Sequence, residues 1–194
     1  MNIVHLSVQG SSPWNEDELV VKEELGVYGV IDGATSLVPF RGAGGETGGY
    51  IAAGIIAGTM HRLLDDSGTR QPAFPLTDAL LEANRLLREE MMKHGIRTDR
   101  KEELWSGGGA VIRLTDTAVH YAQAGDCMLT AVYTDGTIRF VTRDQIAYRT
   151  ARRTGSGRRA SPRDWRPAMR SSRMCCRRSC GEGSRRTRPP ATQS

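Results

Sequence analysis

Five residues stand where oxygen-ligand chemistry would want them: Glu16, Asp17, Asp32, Gly33 and Asp126. Apolar runs at 19–21 and 27–31 flank Lys22-Glu23-Glu24-Leu25-Gly26, which reads as a β-hairpin with a five-residue connection. A simple antiparallel register centred near Glu24 puts Glu16 opposite Asp32. Like charges that face each other across a ladder destabilise the strand pair, so a cation between them is the simplest complement. Hard divalent ions such as Mg2+ and Mn2+ favour carboxylate, carbonyl and water oxygens. Gly33, lacking a side chain, would let its carbonyl approach the same ion. Asp17 alternates to the opposite face and would reach a water near the strand end. A plainer reading stays open for the same residues. Glu16 and Asp17 would then be solvated charges at a loop edge, and Asp32-Gly33 and Gly125-Asp126 would be turns.

Other chemistries lack their residues. The glycines at 42, 44, 45, 48 and 49 have no P-loop lysine and do not match dinucleotide-binding spacing. Cys127 has no base nearby in sequence and reads as a buried structural thiol, while His5, His61, His94 and His120 are scattered without ligand-pair spacing.

The elements that must position the carboxylates follow from periodicity. Ile3, Val4, Leu6 and Val8 suggest a first strand, broken by Gly10-Ser11-Ser12-Pro13. After a Gly-rich loop at 41–49, residues 50–64 read as a helix with Ala52, Ala53 and Ala57 on one side and Ile51 and Ile55 on another. Leu76, Leu80, Ala83, Leu87 and Met91 form the apolar stripe of a second helix, which Thr77 would cap. Residues 110–114, 118–124, 128–133 and 137–141 then read as short strands joined by Thr115-Asp116, Gly125-Asp126 and Asp135-Gly136. Strands, two helices and a strand meander indicate an α+β fold.

The composition divides the chain into an acidic domain at 1–148 and an Arg-rich tail at 149–194. The tail holds 14 Arg, two acids and no Leu, Ile, Val, Phe or Tyr, a net +12, against 13 basic and 20 acidic residues, a net −7, before it. Such a tail cannot bury enough apolar surface to offset its ordering entropy, about 1–2 kcal/mol per residue, and reads as disordered. Its Arg, Ser, Pro, Gly, Ala, Thr and Cys text is that of a GC-rich gene translated out of frame. A genuine basic tail binding nucleic acid is the weaker alternative, with only Trp165 for stacking. Cys175, Cys176 and Cys180 lack a fourth zinc ligand. A mean hydropathy of −0.44 argues against a membrane span, and a start without a basic and apolar signal leads us to expect a cytoplasmic protein.

Taken in order, Asn15-Glu16-Asp17, Gly29-Val30-Ile31-Asp32-Gly33, a Gly-Gly pair entering a small-residue helix, and Ser106-Gly107-Gly108-Gly109-Ala110 resemble the protein phosphatase 2C family of metal-dependent Ser/Thr phosphatases. Ala122-Gln123-Ala124-Gly125-Asp126-Cys127 looks like the family's Gly-Asp-Ser motif, and Asp135-Gly136 with Thr142-Arg143-Asp144 matches the segment after it. The resemblance covers roughly residues 1–148. It implies a β-sandwich flanked by helices, two Mn2+ or Mg2+ ions sharing a bridging water, and phosphoprotein or small phosphomonoester substrates. By motif, Glu16 would ligate one ion, Asp32 would bridge both, the Gly33 carbonyl would complete part of the shell, Asp17 would hold metal-bound water, and Asp126 would serve a further, weaker metal position. Three departures stand out. Ser12 replaces a phosphate-gripping Arg, Ala34 replaces the His often proposed as general acid, and the two Asp motifs of the family's final third have no counterpart. An incomplete sandwich with weak or absent turnover is therefore expected.

Overall fold

The computed structural model describes residues 1–66 and 75–147, and the backbone of 172–175. In chain order the elements are β1 (Asp17–Lys22), β2 (Val27–Ala34), α1 (Gly48–Asp66), α2 (Leu76–Lys93), β3 (Ser106–Leu114), β4 (Ala118–Ala124), β5 (Thr130–Val132), β6 (Ile138–Phe140) and β7 (Ser172–Cys175). β1, β2, β3, β4 and β7 form an antiparallel sheet in that order, and β5 pairs with β6 in a separate two-stranded sheet. The architecture is α+β and incomplete, as expected.

The hairpin register differs from the predicted one by a residue. Glu23–Leu25 wind into a 3-10 turn, and Gly26 closes it in the left-handed region at φ 63°, its N–H donating to the Glu23 carbonyl at 3.0 Å. Lys22 thereby joins the strand and pairs with Val27, so Asp17, not Glu16, stands opposite Asp32. Because strand side chains alternate, this one-residue shift exchanges the faces of the two acids.

The core lies between the sheet and the two helices. Val20, Val27, Ile31, Val111 and Ala122 of the sheet meet Ala53, Ile56, Ala57, Met60 and Leu64 of α1 and Leu76, Ala79, Leu80 and Ala83 of α2. Each fully buried aliphatic side chain contributes about 1.5–3 kcal/mol. The predicted α2 stripe is buried throughout, with Leu87 and Met91 packing on Trp105 and Ala52. Two local expectations need correction. Thr77 lies inside α2, whose N-cap is Pro75 at φ −63°, because the ring already fixes the backbone angle that starts the turn. Ile3, Val4, Leu6 and Val8 form no strand; Val4 is 93% exposed, and its segment borders a cleft of about 330 Å3 over the sheet face that carries Val30 and Ile112. A segment lying over a face has no ladder to join.

On that second face Val30 is 46% exposed, while Leu19, Val21, Tyr28 and Ile112 are half-buried. β6 is exposed along its length, with Phe140 at 71%. Of the Arg-rich tail, Ser172–Cys175 pair with β4 as an added strand, and its remaining residues, with the expectation of disorder there, lie outside the described residues. Among the described residues no helix is long and apolar enough to cross a membrane.

Candidate metal centre

The acids converge at one end of the five-stranded sheet. β1 begins at Asp17, β2 delivers Asp32 beside it, and Asp32 pairs on its other side with Gly108 at the start of β3. β4 ends at Ala124 beside Gly109, and the turn at Gly125, with φ 81°, carries Asp126 and Cys127 back over Gly108. Gly108 matters here for its missing side chain: a Cβ would lie 3.4 Å from Asp126 Oδ1, 3.6 Å from Cys127 Sγ and 3.1 Å from the Ala124 carbonyl oxygen. One carboxylate oxygen each from Asp32 and Asp126 and the Cys127 sulfur lie within 4.8 Å of one another. Asp17 stands opposite Asp32 across the β1–β2 ladder and adds a third carboxylate to the group.

The electrostatics match this crowding. Partial burial, followed by the charges of Asp17, Asp126 and Glu16, holds the Asp32 carboxyl above its ordinary range. Burial, and then Asp32, Asp126 and Asp17, push the Cys127 thiol up to about 11, partly offset by a hydrogen bond with the Asp32 backbone. Cys127 is half-buried, not the fully buried thiol that the sequence suggested. None of the ion pairs among the described residues engages Glu16, Asp17, Asp32 or Asp126. A set of oxygen donors that repel one another and have no ion-pair partner among the described residues fits a divalent ion.

Glu16 directs its hydrogen bonds toward the α1 side of the hairpin. Its Oε1 accepts hydrogen bonds from the Thr35 and Thr47 hydroxyls, each at 2.5 Å, and its backbone carbonyl accepts the Gly33 N–H at 2.9 Å. The Thr47 hydroxyl in turn accepts the Tyr50 N–H at 3.1 Å and caps α1. The carboxylate sits against Gly49, where a Cβ would come within 2.3 Å of Glu16 Oε2. Glu16 thus ties the loop before α1 to the hairpin, close enough to add charge to the Asp32 site but outside the Asp32, Asp126 and Cys127 group. Gly33 is buried between Glu16 and the first turn of α1.

The Asp126 turn is pinned from beneath. Buried Gln123 donates from Nε2 to the carbonyls of Cys127 at 2.8 Å and Arg143 at 2.7 Å. Gln145 donates its N–H to the Gly125 carbonyl at 3.0 Å and accepts the Gly125 N–H on Oε1 at 3.3 Å. Sequence reasoning assigned no role to these two glutamines or to Thr35 and Thr47, although Gln123 lies within the quoted segment that leads to Gly125-Asp126. It also set Cys127 aside, although Gly125-Asp126-Cys127 was the available signal. Ser12 is half-buried and its hydroxyl accepts the Trp14 N–H at 3.4 Å; Ala34 ends β2.

No family model and no curated protein matches the sequence. Solved structures do. The Mycobacterium tuberculosis serine/threonine phosphatase PstP is 17% identical, with 86% of this chain aligned to 69% of that one and a TM-score of 0.54. The catalytic domain of PstP in complex with two manganese ions is also 17% identical, with 86% and 68% covered and a TM-score of 0.56. PppA, a regulatory component of T6SS in Pseudomonas aeruginosa, is 20% identical, with 69% and 52% covered and a TM-score of 0.49. The chain thus spans 52% to 69% of the length of these structures. At this identity the likeness is one of fold, and the chain has the fold of the protein phosphatase 2C type of Ser/Thr phosphatases.

Proposed function

We propose that this chain carries the metal-binding part of a phosphomonoesterase site of the pSer/pThr phosphatase kind. Asp17, Asp32 and Asp126 would hold Mn2+ or Mg2+, with Glu16 and the Gly33 backbone supporting them. The observation that carries this reading is the convergence of Asp32 and Asp126 over a glycine, with Asp17 directly opposed and no ion pair to any of them among the described residues. The chemistry such ions supply is Lewis acidity toward water and phosphoryl oxygens. The chain's own residues set the geometry. The β1–β2 ladder fixes Asp17 against Asp32, and Gln123 and Gln145 fix the Asp126 turn. Glu16 fixes the α1 end against β2. Asp32, central to the set, is the residue whose loss should matter most.

Turnover is expected to be weak or absent. Ser12 and Ala34 supply neither a guanidinium for phosphate nor an imidazole for proton transfer. Those two positions also favour a second reading, a phosphatase-like module that binds a phosphoprotein without hydrolysing it. One experiment addresses both: phosphopeptide binding and hydrolysis measured with and without Mn2+, in the wild type and Asp32→Ala. Asp32-dependent Mn2+ binding with little hydrolysis is expected. Absence of Mn2+ binding overturns the metal reading, and robust Mn2+-dependent hydrolysis lost in Asp32→Ala overturns the weak-turnover expectation.

A further inference from the structure

Resting on that metal reading, we propose that Cys127 is itself a ligand of the centre, so that this chain selects a thiophilic divalent ion, Zn2+ for example, over Mg2+. The position after the Gly-Asp pair would offer a hydroxyl in the Gly-Asp-Ser pattern and here offers sulfur. The structure places that sulfur among the donors, since Cys127 Sγ and one oxygen each of Asp32 and Asp126 lie within 4.8 Å of one another. A tetrahedral ion with bonds of about 2.3 Å to sulfur and about 2.1 Å to oxygen needs roughly 3.6 Å between such donors. From the 4.8 Å limit that is a contraction of about 1.2 Å at most, within reach of side-chain rotation.

Two observations beyond proximity support the assignment. Gly108 lies directly under the pair, where a Cβ would already touch both Asp126 Oδ1 at 3.4 Å and Cys127 Sγ at 3.6 Å, so both donors sit over the same backbone position. The backbone is also held: the Cys127 carbonyl accepts from buried Gln123, and the Gly125 carbonyl and N–H are both taken by Gln145. A donor on a turn fixed at three points loses little entropy on binding an ion. Cys127 forms no disulfide. Thiolate is a soft donor that favours Zn2+ and Cd2+, whereas Mg2+ discriminates against sulfur. On binding, the sulfur–metal bond forms as the S–H proton passes to the buffer, with no change of oxidation state.

The test uses the full chain with Cys175, Cys176 and Cys180 changed to Ser, so that Cys127 holds the one remaining thiol. Cd2+ is titrated while the ultraviolet thiolate-to-cadmium charge-transfer band is recorded, and Zn2+ and Mn2+ affinities are measured alongside. The same runs are made on Cys127→Ser, Cys127→Ala and Asp32→Asn, each checked by circular dichroism. The expected result is a saturable band at one Cd2+ per chain, absent in both Cys127 variants and weakened in Asp32→Asn. Zn2+ affinity should fall about tenfold or more in the Cys127 variants, while Mn2+ affinity changes much less. A missing band, a band indifferent to Asp32, or unchanged Zn2+ affinity in the folded Cys127 variant overturns the proposal. If Mn2+ still binds in an Asp32-dependent way, the failure is that of the sulfur ligand alone; if no divalent ion binds the wild type, the metal reading falls with it.

Discussion

Gly33→Ala tests whether the centre depends on close contact between β2 and α1. A Cβ at this position would lie 2.1 Å from the Gly49 carbonyl oxygen, 2.7 Å from its carbon and 2.9 Å from the Glu16 carbonyl oxygen. All three atoms are backbone, so no side chain can rotate away, and relief requires the first turn of α1 to part from β2 by about 1 Å. Overpacking costs about 1–3 kcal/mol where side chains can yield, and a backbone clash on two sides belongs at the upper end. About 3 kcal/mol corresponds to a Tm loss of roughly 10 °C in a domain of this size. Parting α1 from β2 also strains the Glu16 bridge to Thr35 and Thr47, so Mn2+ affinity should weaken as well. Gly54→Ala is the control. It lies within α1, nothing comes within 4 Å of its added Cβ, and the helix should gain about 0.5–1 kcal/mol. Thermal melts and Mn2+ titrations of both variants decide the matter. A Gly33→Ala protein that melts within a degree or two of the wild type and binds Mn2+ equally well would refute the reasoning.

Two further predictions address the charge cluster and the core. Asp32 is held above its ordinary range, so in the metal-free chain the folded state keeps a proton that the unfolded state releases, and stability falls as pH rises through that interval. Asp32→Asn should therefore stabilise the metal-free protein at pH 7 by about 0.2–1 kcal/mol, the scale of a directly opposed like-charge pair, and flatten that slope. Denaturant melts in chelator between about pH 4 and 7 would show it, and a loss of stability would contradict it. Met60 is fully buried between α1 and the sheet, so Met60→Ala should cost about 2–5 kcal/mol in urea unfolding.

Much of the fold is legible along the chain because its elements are local and strongly periodic. The α2 stripe needs only spacings of three and four to declare itself, and all of its residues are buried. β3 begins earlier than its apolar run suggests: Ser106 and the glycines at 107–109 are poor strand formers alone and extended only because β2 supplies the ladder. Ile3, Val4, Leu6 and Val8 show the converse, residues with strand propensity that gain no partner.

The sequence by itself determined the α+β order, the α2 core stripe, the abrupt change to Arg-rich text and the identity of the acids that gather at one end of the sheet. Each of these rests on residue type or short-range spacing. Tertiary structure decided which acid faces Asp32, because a 3-10 turn closed by Gly26 sets the register and one residue exchanges the faces. It decided that Glu16 fastens α1, because the threonines that bind it lie 19 and 31 residues away. And it decided that Cys127 joins the acids, because only the pairing of β2, β3 and β4 carries the turn after β4 over Gly108 to Asp32, a contact across 95 residues that no local pattern encodes.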